Sequence, residues 1–229
     1  MTRIERGYED RLRARLRSVG ARRAEEGVKW MLRRAEAMSA QEQKPLSDAL
    51  NELDRQLATK PFFAGRRMEA ERFFCDGGLG GLARWLRAAG YEAFWEDGLE
   101  DSLLLSKTRE AGAVLLTTDS MLMERKILRD GTIKALWLPP TLRMAAQLEI
   151  VWQEFGLELR ESRCMRCGGK LERISKQEFK DQIPPRTFLW LDEFFKCQRC
   201  SQLFWHGTHW NHIRKSLEGF AEAREAPKA

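Results

Sequence analysis

The first sixty residues carry apolar side chains at helical spacing within a strongly charged background. One apolar series ends near Gly20 and a second follows it, which predicts two helices, and Ser39 or Ser47 can cap a third. Pro61 ends this run, so we expect residues 1–65 to form an N-terminal helical arm. The apolar positions are Tyr8, Leu12, Leu16 and Val19, then Val28, Met31, Leu32, Ala35 and Met38, then Leu50, Leu53 and Leu57.

Strand and helix patterns alternate through residues 72–158. A short apolar run at 72–75 is followed by Asp76, a glycine-rich turn and an amphipathic helix over 79–89. Residues 113–117 form a continuous apolar run, as expected of a central parallel strand covered on both faces. The alternation predicts an α/β domain with a parallel central sheet in a three-layer αβα arrangement. The other predicted elements are strands over 91–95 and 133–138 and helices over 101–111, 120–129 and 141–155.

Acidic residues directly follow two of the predicted strands. Asp76 comes after the first strand and Asp119 after the run at 113–117. Because parallel strands share one carboxyl edge, we expect the two carboxylates to approach each other. Such a pair repels unless a cation bridges it, and Mg²⁺ or Mn²⁺ suits oxygen ligands. The alternatives are turn formation by Asp76 and helix capping by Asp119 or by Asp101.

The glycine-rich turn and the helix after it offer contacts for RNA. The glycines would let an RNA backbone come close to Asp76. Arg84 and Arg87 lie three positions apart, off the apolar stripe of the helix, where they could neutralise phosphate. Ordinary solvation of a helix face is the competing interpretation. Cys75 is expected to be a small buried hydrophobe.

Four of the five cysteines form two C-x-x-C pairs separated by about thirty residues. Four thiolates on two tight turns match tetrahedral Zn²⁺ and leave no open ligand position, so the predicted role of the zinc is structural. We expect a zinc ribbon over residues 160–215 and a polar tail over 216–229. The predicted ligands are Cys164, Cys167, Cys197 and Cys200.

Charge is distributed unevenly along the chain. The formal net charge is +6: residues 1–72 carry about +5, residues 73–159 about −4, residues 160–215 about +6 and the last fourteen residues about −1. An acidic centre between basic flanks suits a metal site whose flanks hold nucleic acid; the alternative is that the pattern is only the composition of helix surfaces. Lys170 and Arg173 are candidate RNA contacts in the ribbon, where basic and aromatic residues interleave; the alternative is that the rings form the core of the ribbon.

The N-terminus lacks the apolar run of an export signal, and no stretch approaches the length of a membrane span. We therefore expect a cytoplasmic protein without a membrane partner. The arginines between Arg11 and Arg17 fit a solvated helix face as well as an RNA contact, and the helical arm could also mediate homo-oligomer formation.

In its second part the chain resembles the C-terminal RNase domain of the Mut-seven exoribonuclease, a PIN-like fold fused to a zinc ribbon. The resemblance covers about residues 72–215 and implies a metal-dependent ribonuclease with Asp76, Asp101 and Asp119 as its acidic positions. The ubiquitin-like segment that often precedes this domain in the family is not evident here. The matching stretches are 74–77, 79–87 with Gly90, Asp101 before 103–104, 115–119, 162–164, Cys167, Cys197, Cys200 and 205–210.

The leading hypothesis is an endoribonuclease in which one or two Mg²⁺ or Mn²⁺ ions activate water against an RNA phosphodiester. RNA is the expected partner, with tRNA and rRNA as candidate classes. The alternatives are a non-catalytic RNA-binding or ribonucleoprotein module and a toxin-like regulatory protein whose arm mediates assembly.

Overall fold

The computed structural model describes residues 2–58, 60 and 70–225. The boundary predicted at Pro61, the end of the predicted arm at 65 and the last four residues of the predicted polar tail lie outside these residues. Within the described part of the chain, none of the helices combines the length and the apolar character needed to cross a bilayer.

Three helices form the N-terminal segment, as the apolar spacing predicts: α1 (Arg3–Ser18), α2 (Ala24–Glu42) and α3 (Leu46–Ala58). A capping box between Thr2 and Glu5 starts α1. The prediction that Ser39 or Ser47 caps the third helix is wrong. Ser39 lies inside α2 and its hydroxyl donates to the Lys44 carbonyl oxygen at 2.6 Å, while α3 begins one residue before Ser47.

Four short strands form a parallel sheet in the order β2-β1-β3-β4, so the predicted α/β class is confirmed. The strands are β1 (Arg72–Cys75), β2 (Glu92–Trp95), β3 (Val114–Thr117) and β4 (Ala135–Trp137). β3 is buried along its whole length, as its unbroken apolar run indicates. The helices that alternate with these strands are α4 (Gly80–Ala88), α5 (Asp101–Glu110), α6 (Lys126–Arg129) and α7 (Met144–Phe155).

The chain divides into two compact units. One contains the described residues of 1–69 and 116–156, and the other contains those of 70–115 and 157–229. The domain boundaries that the sequence suggests at 65, 158 and 215 stay predictions. Each unit has its own buried core, and each is described separately below.

In the first unit, the apolar faces of the three N-terminal helices close around Trp137 of β4. The Tyr8 and Trp137 rings meet edge to face, with centroids 5.2 Å apart. A Cβ atom on Gly7 would lie 2.3 Å from the Trp137 ring, so this approach requires glycine. Because the apolar stripes are buried within one chain, the expectation of a homo-oligomer through these helices has no support.

A buried ion network joins α1, α3 and α7 in this unit. Nε of Arg11 donates to Asp54 at 2.6 Å, and Nη2 of Arg11 donates to Glu154 at 3.0 Å. Arg15 donates to the same two carboxylates. Burial alone would raise the pKa of Asp54, but Arg11 and Arg15 outweigh that effect and hold the pKa below its usual range. Arg11 and Arg15 are therefore structural cations rather than RNA contacts.

Replacing Asp54 with asparagine should lower the free energy of unfolding by about 3–5 kcal/mol, because it leaves buried arginine charge uncompensated. Urea melts at neutral pH provide the measurement. Asp48→Asn, an exposed acid on the same helix, is the matched control and should change stability by well under about 1 kcal/mol. Equal losses for the two variants would contradict the assigned role of the network.

The pH dependence of this effect follows from the lowered pKa of Asp54. A carboxyl group with a depressed folded pKa stabilises the fold above its unfolded pKa of about 3.9, and that contribution is lost as the pH falls towards the folded value. The stability difference between the natural protein and Asp54→Asn should therefore be constant near neutral pH and shrink below about pH 4.

In the second unit, a three-stranded antiparallel sheet follows the α/β elements. Its strands are β5 (Leu171–Ile174), β6 (Phe194–Cys197) and β7 (Leu203–Trp205), paired in that order. A short helix, α8 (Pro185–Trp190), lies between β5 and β6. The last helix, α9 (Thr208–Glu225), continues well into the segment expected to be a polar tail, and it buries Ile213 and Leu217.

Candidate active site and metal centre

Asp76 is a buried carboxylate at the end of β1, and 9% of its surface is exposed. Its backbone is extended, and its carbonyl oxygen accepts the Leu79 N–H at 3.0 Å. This bond closes a 3-10 turn over Gly77–Leu79. Gly77 and Gly78 are exposed, and no atom lies within 4 Å of a Cβ placed on Gly77. The chain therefore leaves open space directly after the buried acid.

The glycine at position 80 serves a different purpose. A Cβ atom on Gly80 would lie 2.7 Å from the indole ring of Trp95. The same ring donates its Nε1–H to the Gly77 carbonyl oxygen at 3.0 Å. Gly80 is therefore needed for the packing of Trp95, whereas the space at Gly77 remains compatible with a close approach of RNA.

The other two predicted acids lie close to the starts of the helical segments that follow them. Asp101 is the first residue of α5 and is half-buried; the N-cap position belongs to Glu100, so the predicted capping position is off by one residue. Asp119 is exposed, and its Oδ1 accepts the Met121 N–H at 2.7 Å. The alternative that Asp119 caps the next helix is wrong, because the N-cap of the 3-10 helix over Leu122–Glu124 is Met121. Asp119 instead closes a turn before that helix, and this bond occupies one carboxylate oxygen.

Arg84 and Arg87 differ in their surroundings. Arg84 is exposed, as an RNA contact requires. The prediction that Arg87 lies on an accessible helix face is wrong, because only 5% of Arg87 is exposed. Its guanidinium donates to the carbonyl oxygens of Ala93, Met165 and Arg166 at 2.7–3.0 Å. Arg87 therefore holds the first cysteine turn against α4 and β2.

Cys75 is fully buried, as expected of a small hydrophobe. Burial raises the pKa of its thiol, and the negative charge of Asp76 adds to the effect. A thiol held protonated in this way is a poor nucleophile.

The four remaining cysteines converge at one point of the second unit. Their sulfur atoms all lie within 4.8 Å of one another, with Cys164 and Cys200 at 3.6 Å and Cys167 and Cys197 at 3.5 Å. Sulfur atoms bound to one tetrahedral Zn²⁺ at about 2.3 Å are separated by roughly 3.8 Å. The donor set therefore fits a structural zinc ion with four protein ligands.

Backbone groups around the cluster favour thiolate. The N–H groups of Arg199 and Cys200 point at the Cys197 sulfur, at 3.3 and 3.5 Å. Burial raises the pKa of Cys197, but these donors outweigh burial and lower the pKa to about 7. Burial raises the pKa of Cys164 to about 12. A bound cation would offset the free-energy cost of deprotonating this buried thiol. A Cβ on Gly169, two residues after Cys167, would lie 2.8 Å from the Cys197 sulfur, so this position needs glycine.

Comparison with family models decides the assignment. The model of the Mut7-C RNAse domain matches residues 71–217, which is well over half of the chain. The chain belongs to the Mut7-C RNase domain family. Comparisons with curated proteins and with solved structures return no match.

The Mut7-C match spans the three candidate aspartates and all four cysteine ligands, while the N-terminal helices lie outside it. The match implies a ribonuclease-like function with RNA as substrate. Lys170 is exposed in the Mut7-C ribbon, and the other candidate contact, Arg173, is 3.3 Å from Glu193 in an exposed ion pair.

Glu92 is a structural residue of the Mut7-C domain that the sequence pattern does not reveal. It lies at the start of β2 and forms ion pairs with three arginines at 3.2–3.5 Å. One of these, Arg199, also donates to the Cys167 carbonyl oxygen at 2.9 Å. Glu92 thus fastens both cysteine turns to β2. Its other two partners are Arg72 and Arg163.

The aromatic residues of the Mut7-C ribbon are divided between core and surface. Phe194 is fully buried, in line with a core role. His206 stacks on Trp210 with ring centroids 5.3 Å apart, and its Nδ1 lies 3.3 Å from Glu193. Trp190 does not belong to the core, because 82% of its surface is exposed.

Proposed function

We propose that the chain is a metal-dependent endoribonuclease that uses the carboxylates of Asp76, Asp101 and Asp119. The observation that carries this proposal is the Mut7-C match, which spans all three acids in order. The environment of Asp76 adds support, because a buried carboxylate next to an open glycine turn can hold a cation beside an RNA backbone.

In this proposal the acids hold Mg²⁺ or Mn²⁺, which prefer carboxylate oxygens. The bound ion lowers the pKa of coordinated water and stabilises charge on the phosphate. In this proposal the chain contributes Asp76 directly after β1 and Asp119 two residues after β3, and Gly77 and Gly78 add no side chains next to Asp76. Arg84 and Lys170 are the exposed candidates for phosphate contacts.

The zinc ribbon has a structural role in this proposal, because its four cysteine ligands leave no position for substrate. Its thiols must stay reduced, which agrees with the cytoplasmic location predicted from the sequence. Arg173 is a weaker candidate for RNA contact than Lys170, because an RNA phosphate would have to compete with Glu193 for its guanidinium.

The test is cleavage of end-labelled RNA by the full chain after removal of loosely bound divalent ions. Cleavage should be absent without added metal and should return when Mg²⁺ or Mn²⁺ is added, because the acids need a bridging cation. Internal fragments would indicate endonucleolytic attack. Zinc content measured on the same samples shows that the ribbon stays loaded.

Salt-dependent RNA binding without any metal-dependent cleavage would contradict the proposal. That outcome would favour a non-catalytic RNA-binding module, since phosphate contacts alone make binding sensitive to salt.

A further inference from the structure

The N-terminal helices carry a charged surface that lies outside the Mut7-C match. Helix α2 buries Val28, Met31 and Ala35 in the core of the first unit. Its opposite side is exposed and carries residues at spacings of three and four, so they share one face. We name this surface the α2 basic face. Its members are Arg22 and Arg23 just before the helix, then Glu26, Lys29, Trp30, Arg33 and Arg34.

The α2 basic face is strongly cationic. Five positive charges stand against Glu26 within the face and Glu36 at its edge. Among the residues that the structure describes, the one ion pair within the face is the exposed contact of Arg23 with Glu26, at 3.5 Å. An unneutralised cluster of this kind attracts a polyanion.

The neighbouring helix α1 shows that this pattern is not a general property of the arginines in the bundle. Arg13 contacts Glu9, Asp10 and Glu25, and Arg17 contacts Glu25. Arg11 and Arg15 belong to the buried ion network. These four arginines of α1 therefore have carboxylate partners within the protein, whereas Lys29, Arg33 and Arg34 of α2 face solvent.

Trp30 lies within the α2 basic face and is 60% exposed. The guanidinium of Arg34, one turn further along, lies over its ring at 5.8 Å from the centroid. An exposed indole ring flanked by cations can stack with a nucleobase while the cations meet the phosphates on either side. From Arg23 at the N-cap to Arg34 the helix axis rises about 16 Å, which is long enough for cations to meet more than one phosphate.

The buried side of α2 argues against a membrane as the ligand. A helix that binds a bilayer surface inserts its apolar face among the lipids. The apolar face of α2 is already covered by α1 and α3, with Val28 1% exposed and Ala35 fully buried.

We propose that the α2 basic face binds single-stranded RNA, with Trp30 as the stacking platform and Lys29, Arg33 and Arg34 as phosphate contacts. The choice of RNA as the polyanion rests on the proposed ribonuclease function. The N-terminal bundle would then hold the substrate strand through a surface that the Mut7-C domain itself does not contain.

The test is binding of a short fluorescein-labelled single-stranded RNA to the full chain, followed by anisotropy over a series of salt concentrations without added Mg²⁺ or Mn²⁺. Arg33→Gln combined with Arg34→Gln should make the slope of log affinity against log salt shallower by about 1.4, because each lost single-strand phosphate contact contributes about 0.7. Trp30→Ala should weaken binding roughly ten-fold, and Trp30→Phe should retain most of it, because a ring still stacks.

The matched control is Lys44→Gln combined with Arg55→Gln. It removes the same charge from the same helical bundle, at Lys44 between α2 and α3 and at Arg55 on α3. These two cations, however, pair with Glu42 and Glu52 at 2.7 Å. The control should leave the salt slope unchanged. Equal shifts in the two double variants, or no shift in Arg33→Gln with Arg34→Gln, would overturn the inference. If Arg33→Gln with Arg34→Gln lost binding to phosphatidylserine vesicles but kept its RNA binding, the inference would be overturned as well.

These outcomes are separable from the fate of the proposed function, because binding is measured without catalytic metal. A chain that binds RNA through the α2 basic face and never cleaves it would contradict the ribonuclease proposal and leave this inference standing. Metal-dependent cleavage combined with RNA binding that the α2 substitutions do not change would support the ribonuclease proposal and contradict this inference.

Discussion

Replacement of Asp76 with asparagine is expected to abolish metal-dependent RNA cleavage while leaving the fold intact. Asparagine keeps the shape of the side chain but removes the negative charge that would hold a divalent cation. Loss of several kcal/mol of transition-state stabilisation corresponds to a rate reduction of about a thousand-fold or more. The affinity for RNA should be unchanged or higher, because the variant lacks the repulsion between the Asp76 carboxylate and the RNA phosphates. The measurement is single-turnover cleavage at saturating enzyme, with binding followed separately.

The control for Asp76→Asn is Asp181→Asn, which neutralises an exposed acid in the same compact unit. Its cleavage rate should equal that of the natural protein. Unchanged turnover in a clean preparation of Asp76→Asn would rule out Asp76 as a metal-binding carboxylate.

Asp119 allows a finer version of the same experiment, because its observed turn-closing hydrogen bond and its proposed metal role can be separated. Oδ1 accepts the Met121 N–H, and asparagine retains an oxygen in that place. Asp119→Asn should therefore keep the turn and its thermal stability but lose cleavage, whereas Asp119→Ala should lose both. If Asp119→Asn cleaves normally, the carboxylate serves only to close the turn.

Replacement of Cys197 with serine is expected to release the zinc and unfold the ribbon. The three short strands bury few side chains of their own, so the metal must contribute much of their folding free energy. Structural zinc sites contribute apparent binding free energies of about 10–16 kcal/mol, and loss of one of four ligands removes a large part of this. Zinc content by elemental analysis and limited proteolysis within residues 164–205 provide the measurements.

The matched control is Cys75→Ala, which removes the cysteine that lies outside the cluster. That variant should keep one zinc ion per chain and an intact ribbon, although it loses buried volume in β1. A Cys197→Ser protein that retains stoichiometric zinc and resists proteolysis would show that the cluster holds no structural metal.

Local patterns predicted most of the elements near the candidate site. The strand before Asp76, the buried run at β3 and the amphipathic helix α4 each follow from the spacing of apolar side chains within a few residues. The zinc ligands were also predicted from the sequence, because two C-x-x-C motifs indicate a tetrahedral site whatever the fold. Element ends were less well predicted, as the start of α5 at Asp101 and the continuation of α9 to Glu225 illustrate.

Local patterns did not predict whether an individual polar side chain is buried and paired or exposed. Arg87 occupies a polar position of an amphipathic helix, yet carbonyl groups almost eighty residues away bury it. Arg11 and Arg33 are both arginines on helices of the same bundle, yet Arg11 is enclosed by Asp54 and Glu154 while Arg33 faces solvent. The sequence alone does not distinguish these cases, because the partners come from distant segments.

The sequence by itself thus determined the α/β class, the family, the four-cysteine metal centre and the acids that follow the strands. Each of these depends on periodicity or on short motifs, which act over a few residues. The tertiary structure decided which cations are paired inside the protein and which face solvent. It also showed that Gly80 is needed to pack Trp95 and that Trp30 is exposed on α2. The physical reason is that burial and ion pairing depend on which remote segments pack together, and no local pattern encodes that choice.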